Sequence, residues 1–184
     1  MHGKLAVCTP WASPFMYTGY VEHQLNLRHP EGMEVRHILG KGWCPARRHA
    51  DMCEKALVWG ADWICITGAD QLHPEDILCR LMTRVAEGYE VVAALVPARG
   101  YVGWQEMQPF QKMAWRLKSP EASTIEAVNA GMDRMQEAVA ITPADGEMQR
   151  IHFIGSGVLL FHRDHLLSLK HPWFSETYDP STMK

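Results

Sequence analysis

The sequence predicts an α/β fold, a three-layer α/β/α arrangement with a mostly parallel central sheet, and three observations carry that prediction. Strand-like and helix-like segments alternate regularly over the first hundred residues. The strand segments KLAVCT and DWICIT are almost continuously apolar at their centres, the pattern of strands covered on both faces. The helical segments between them are bounded by Pro and Gly, which punctuate helix starts and ends. Helices on both faces and right-handed crossovers follow from such a pattern.

Taken in order, Lys4 to Thr9 is rich in strand formers and stops at Pro10, which cannot continue a ladder. Phe15 to Arg28 spaces Phe15, Tyr17, Val21, Leu25 and Leu27 near the helical period and ends at His29, Pro30 and Gly32. Met33 to Leu39 is a second strand. Pro45 to Trp59 has Pro in its first turn, Met52, Ala56 and Leu57 on one side, and Gly60 just beyond its end. DWICIT, ending at Thr67, is the third strand. Pro74 opens an amphipathic helix that runs through Ala86 and is closed by Gly88, and Val91 to Val96 is the fourth strand. From about Arg99 to Met148 no period persists; Trp104, Phe110 and Trp115 are scattered among Gln, Met and Ala. RIHFIGSGVLLFHRDHLLSL then reads as a strand, a Gly-Ser-Gly break, a second strand and a short helix, and HPWFSETYDPSTMK closes the chain without an element.

Composition bounds the function. The chain has 184 residues, 47% hydrophobic and 21% charged, the balance of an ordinary globular protein rather than a disordered one. A single domain over residues 1–184 is expected. Its formal net charge of -3 leaves no strongly basic field to attract nucleic acid, although a local basic patch stays open. Five cysteines, an odd number without a C-x-x-C pair, indicate neither a zinc ribbon nor a disulfide framework and suit a reducing compartment. The first residues lack the apolar core of a signal peptide, and no apolar run approaches the roughly 20 residues that span a bilayer, so a cytoplasmic location is expected.

In open parallel sheets ligands bind outside the carboxyl ends of the strands, which selects Thr9, Gly40, Asp70 and Arg99. Asp70 is the most informative: it follows an apolar strand and the small residues Gly68 and Ala69, and a carboxylate there suits a hard divalent cation. Capping of the following helix or its turn is the competing role.

Residues 46–82, ARRHADMCEKALVWGADWICITGADQLHPEDILCRLM, resemble the heart of GT-A fold glycosyltransferases of the family 2 group, where an Arg-Asn helix start precedes an apolar strand ending in a D-x-D motif. VVAALVPARG is similar to the strand and Arg that follow in that family, and FIGSGVLLFHRDHLLSLKHPWF to its Gly-x-Gly, strand, helix and Pro-Trp-Phe region. The resemblance leaves out about Tyr101 to Met148. It departs from the family at four places: Gly68-Ala69-Asp70 keeps only the second acid, Arg48-His49 replaces Arg-Asn, Leu39-Gly40-Lys41 lacks an acid for the base, and the acidic Glu-Asp motif after Pro-Trp-Phe is reduced. Only Glu176 and Asp179 follow the Pro-Trp-Phe region, so the chain is either a minimal version of the domain or one lacking its C-terminal portion.

The resemblance implies a GT-A-like domain with a nucleotide-sugar-binding half, residues 1–100, and an acceptor half, residues 101–184. It implies a metal-dependent transferase moving a sugar from a nucleotide-diphosphate sugar to an acceptor that is a glycan, lipid, protein or nucleic acid. Asp70 would hold Mn²⁺ or Mg²⁺ against the diphosphate, the ion acting as a Lewis acid. Thr9, Pro10, Arg48, Ala69 and Arg99 would complete the donor site. Gly155, Ser156 and Gly157 would let backbone approach sugar or acceptor, and Trp173 and Phe174 would form an aromatic wall. Glu176 or Asp179 would be the general base.

Other signals weigh less. Among ten histidines none forms an HExxH pair; His152, His165 and His171 stand as candidates for a second metal ligand, with surface positions the ordinary alternative. Arg47 and Arg48 open a helix where the macrodipole disfavours cations, which favours ligand contact over a solvated pair. Gly155-Ser156-Gly157 lacks the third Gly of a dinucleotide fingerprint. Trp11, Trp43, Trp104, Trp115 and Trp173 fall in loops, where some would line a ligand site and most would pack. Two rivals accompany the transferase: nucleotidyl transfer, disfavoured because TPWASPF lacks a Gly-rich basic loop, and a non-catalytic binding or assembly module with a degraded site.

Overall fold

The computed structural model describes residues 2–13, 18–95, 114–117, 138–140, 148, 150–151, 153–154 and 157–174. Along the chain the elements are β1 (Gly3–Pro10), α1 (Thr18–Asn26), β2 (Met33–Gly40), α2 (Pro45–Trp59), β3 (Trp63–Thr67), α3 (Ile77–Ala86), β4 (Val91–Ala93), β5 (Ala114–Leu117), β6 (Ala138–Ala140), β7 (Phe153–Ile154), β8 (Val158–His162) and α4 (Arg163–Ser168). Two compact units result: Met1–Ala93 with Gly157–Lys184, and Ala94–Ser156.

The first unit holds a five-stranded sheet in the order β2-β1-β3-β8-β4, and the second a three-stranded sheet in the order β6-β5-β7. β1 pairs parallel with β2 and β3, whereas β8 pairs antiparallel with β3 and β4, and both pairings of the second sheet are antiparallel. Four of the six pairings among the described residues are therefore antiparallel. The sheet is mixed, and the expected mostly parallel, GT-A-like three-layer fold is corrected on this point. The βα alternation that predicts parallel neighbours carries no information past Val91. β8 comes from a later part of the chain, and nothing in the apolar pentapeptide VLLFH states its direction. Its insertion separates β3 from β4, which the alternation places side by side.

β1 has a neighbour on each side, and its central residues Leu5, Ala6, Val7 and Cys8 are at most 1% exposed. Successive side chains of a strand point to opposite faces, so Ala6 and Cys8 share one face. There they join Ile64 and Ile66 of β3, Ile38 of β2, Phe161 of β8 and Met52, Cys53 and Ala56 of α2 in one core cluster. The small side chains of Ala6, Cys8, Cys53 and Ala56 let α2 lie close to the sheet. α2 has Pro45 at its start; at its end Gly60 takes φ +81°, and the Ala61 N–H closes onto the Ala56 carbonyl at 3.0 Å.

Helix α3 buries Ile77, Leu78, Leu81, Met82 and Val85, an apolar stripe at helical spacing. It begins at Ile77, three residues beyond the start expected from Pro74, because Pro74 uses its carbonyl to accept from the Ile77 N–H at 3.0 Å in the preceding turn. Helix α1 is shorter than the expected 15–28, and residues 14–17 lie outside the described set. Among the described residues, no helix is long and apolar enough to cross a membrane.

Candidate functional site

The carboxyl ends of β1, β2 and β3 lie side by side because these strands are parallel and Pro10 pairs in register with Gly40. Thr9 sits at this edge, but its side chain points inward, 2% exposed. Its Oγ1 lies 2.7 Å from Tyr20 Oη and 3.0 Å from Thr67 Oγ1, which makes a buried chain of three hydroxyls joining β1, α1 and β3. Burial pushes the Tyr20 phenol up, against the lowering effect of the Thr9 and Thr67 hydroxyls. Trp11, just beyond β1, stacks on Tyr20 with ring centroids 5.9 Å apart, and its backbone N–H donates to the Gly40 carbonyl at 3.0 Å.

The loop after β2, Gly40-Lys41-Gly42-Trp43, leads into α2. A Cβ on Gly40 would collide with the Arg48 carbonyl oxygen, so α2 passes directly over the strand end. Arg48 Nε donates to the Gly42 carbonyl at 2.9 Å, which fastens the loop to the first turn of α2. The Lys41 N–H donates to Asp51 Oδ2 at 2.7 Å, and Lys55 Nζ reaches the same oxygen. Burial raises the Asp51 carboxyl, but the bonds from Lys55 and the Lys41 N–H together hold it below its usual range. Trp43 is 80% exposed, while Lys41 and Arg47 are exposed on either side of it in sequence. Cys44 gives α2 no side-chain cap, and its first turn carries no acid.

Beyond β3 the Gly68 N–H donates to the Gly157 carbonyl at 2.8 Å, so Gly157 lies beside the Gly68-Ala69-Asp70 turn. Asp70 itself is exposed and Ala69 half-buried. The structure thus gathers Thr9, Pro10, Arg48, Ala69, Asp70 and Gly157 near the strand ends of one sheet.

His171, Trp173 and Phe174 belong elsewhere. His171 Nε2 is 3.5 Å from Glu54 Oε1 on α2, with Trp173 edge-on to its ring at 5.1 Å. Trp173 and Phe174 pack against the core cluster beneath α2, and Phe174 meets His49 at 5.2 Å. These two rings are therefore drawn into packing rather than presented as an open wall. Arg99, Gly155, Ser156, Glu176, Asp179 and His152 lie outside the described residues.

Two groupings escaped sequence reasoning. Between α1 and the 68–76 segment, the His73 N–H donates to His23 Nε2 at 3.4 Å with the rings 5.9 Å apart, and Gln24 Nε2, Gln71 Oε1 and His73 Nε2 are buried without hydrogen-bond partners. At the opposite end of the sheet a cavity of about 550 Å³ opens between the start of β3, the end of α3 and α4. Its lining includes His165, singled out above only as a metal candidate.

The chemistry expected from the transferase resemblance does not find its parts. Among the described residues no group of three or more His, Cys, Asp or Glu could hold a metal ion. His171, expected to share a metal ion with Asp70, is engaged with Glu54 and Trp173 on the flank of α2, while Asp70 follows β3.

No family model and no curated protein sequence matches the chain. Among solved structures the chain is similar to one titled "Crystal Structure of A197 from STIV", with a TM-score of 0.53 and 14% identity over 94% of this chain and 70% of that one. At that identity the likeness is one of fold and carries no activity. Membership in the GT-A glycosyltransferases, and with it the glycosyltransferase activity, is corrected on these grounds: a mixed sheet, no metal-ligand cluster among the described residues, and a structural neighbour that supplies a fold only.

Proposed function

We propose that the chain is a non-catalytic binding module whose ligand is an organic phosphate bearing an aromatic ring, taken up at the loop that joins β2 to α2. The observation that carries this reading is Trp43, 80% exposed, set within five residues of Lys41, Arg47 and Arg48 at the side-chain-uncapped start of α2. An exposed indole offers a face for stacking, worth about 1–3 kcal/mol per base in single-strand binders. Helix N–H groups and guanidinium groups suit phosphate oxygens. Arg48 shapes the loop through Gly42, which leaves Lys41 and Arg47 as the ligand's charge partners. Pro10, Ala69 and Asp70 border the same strand ends and are assigned to the rim, with Asp70 accepting from ligand hydroxyl or amino groups.

Calorimetric titration of the full chain with adenosine diphosphate, adenosine and pyrophosphate tests the reading. Adenosine diphosphate is expected to bind more tightly than either half. Trp43→Ala is expected to weaken it about tenfold or more by removing the stacking face, and Arg47→Ala to weaken diphosphate and pyrophosphate alike. Absence of heat with all three, or binding unchanged in Trp43→Ala, would overturn it.

A further inference from the structure

The cavity at the other end of the sheet has a chemistry of its own. It lies where the parallel strands begin: Trp63 opens β3, and its antiparallel partner His162 closes β8 in register with it. Trp63 and His162 meet edge to face, 4.9 Å between centroids at 71°. Tyr89 and Glu90 come from the turn after α3, and Asp164 and His165 from the first turn of α4, so three separate pieces of chain form one wall. A volume of about 550 Å³ is in the range of small-molecule sites.

The lining contains carboxylates, imidazoles and aromatic rings, and neither Lys nor Arg. Glu90 Oε2 accepts from His165 Nε2 at 3.1 Å, which orients the carboxylate at the mouth of the cavity while its side chain stays 72% exposed. Asp164 is partly balanced by Arg163, whose Nε lies 3.8 Å away just outside the cavity and whose other end faces Asp62. Within the lining, Glu90 and Asp164 thus have imidazole neighbours and no Lys or Arg. Trp63 and the half-exposed Tyr89 add the π faces that attract a cation. Gly88 leaves the adjoining wall open, since a Cβ there would meet nothing within 4 Å.

We infer that this cavity is a second binding site, for a small organic monocation: an ammonium or guanidinium group held by Glu90, with an apolar or aromatic body against Trp63 and Tyr89. The inference is independent of the loop after β2. A positive charge meets the Glu90 and Asp164 carboxylates, whereas an anion would meet the same two carboxylates with no Lys or Arg in the lining to receive it. A neutral hydroxyl of the same shape can still donate to Glu90 but brings no charge to offset it.

Three probes of similar size test it: benzylamine, benzyl alcohol and benzoate, titrated into the ¹⁵N-labelled full chain at pH 8. The signal followed is the Trp63 indole N–H, identified by its loss in Trp63→Phe. Benzylamine is expected to shift that signal saturably and to bind about threefold or more tightly than benzyl alcohol, because the ammonium adds a charge to a hydrogen bond that the alcohol also makes; benzoate is expected not to bind. Glu90→Gln, on an exposed turn, keeps shape and folding while removing the charge, and is expected to bring benzylamine down to the level of benzyl alcohol. Trp43→Ala is expected to leave the titration unchanged. Equal affinity for amine and alcohol, an unaltered benzylamine affinity in Glu90→Gln, or no shift with benzylamine would each overturn the inference.

Discussion

The hydroxyls of Thr9 and Thr67 lie 3.0 Å apart across neighbouring strands β1 and β3, both side chains at most 2% exposed. Thr9 also bonds Tyr20, and the Thr67 hydroxyl acts on the same phenol, so the three hydroxyls form one closed cluster. Replacing either threonine by its near-isostere valine removes that residue's bonds and leaves the other threonine and Tyr20 to pair with each other. Thr67→Val and Thr9→Val are each expected to cost about 1–2 kcal/mol, from the ordinary net value of a hydrogen bond. Urea unfolding midpoints at constant slope measure both. No loss in either variant would mean that the cluster does not contribute to stability.

Gly40 and Gly60 separate two reasons for glycine. At Gly40 the obstacle is space, because a Cβ would strike the backbone carbonyl of Arg48 and α2 would have to shift. At Gly60 space is open, and the obstacle is its φ of +81°. Gly60→Ala is expected to cost about 1 kcal/mol, the usual penalty of a left-handed residue with a Cβ. Gly40→Ala is expected to cost about 2–3 kcal/mol as an overpacking change, and also to shift the Arg48 and Trp43 amide signals in an NMR spectrum. An effect of Gly40→Ala smaller than that of Gly60→Ala would contradict the close approach.

These cases show what the sequence discloses. The bounds of α2 are legible to the residue, because Pro45 and Gly60 act through local backbone geometry. β1 and β3 are legible because their apolar runs are local, but β1 runs on through Pro10, expected to end it, because Pro10 pairs with Gly40 at the strand end. β8 is legible as a strand, but its antiparallel place between β3 and β4 depends on long-range pairing that leaves no local trace. The strand-end residues follow from a rule about parallel strands; β1, β2 and β3 pair parallel, but β4, which precedes Arg99, pairs antiparallel with β8. The hydroxyl chain, the His23–His73 pair and the cavity at Trp63 join residues 11 to more than 70 positions apart, and no spacing announces them. The one available signal was polar residues recurring where the pattern demands burial, as at Thr9, Thr67 and His23.

The thiols give a chemical test of burial. Cys8, Cys44, Cys53 and Cys65 are buried and Cys79 only partly so. Burial pushes Cys53 and Cys65 up to about 12 and Cys8 well above its ordinary range, so three of the five hold almost no thiolate at pH 8. The thiolate is the reacting form. With a disulfide reagent at pH 8, native protein is expected to react first at Cys79, identified by mass mapping, and the urea-unfolded chain at all five cysteines. Fast native labelling of Cys8, Cys53 or Cys65 would show that the sheet opens more readily than its packing implies.

The His23–His73 pair sets the pH response. Burial lowers His23, with Glu75 opposing it in part; burial lowers His73 as well, and His23 adds to that effect. His37 is lowered by burial and then by His29. Each gives up its proton more readily in the folded chain than in the unfolded one, where histidine titrates near 6.5. Above that value neither state holds the proton and these groups contribute no pH dependence. As pH falls through about 6.5, the unfolded chain takes up protons first, so stability declines. The urea midpoint is expected to be level from pH 8 to about 7 and to fall as pH drops below about 6.5. His23→Gln, whose amide oxygen can still accept from the His73 N–H, is expected to make that decline shallower and leave the remainder to His37 and His73. A level profile across the whole range in wild type, or an unaltered slope in His23→Gln, would remove the pair as the source.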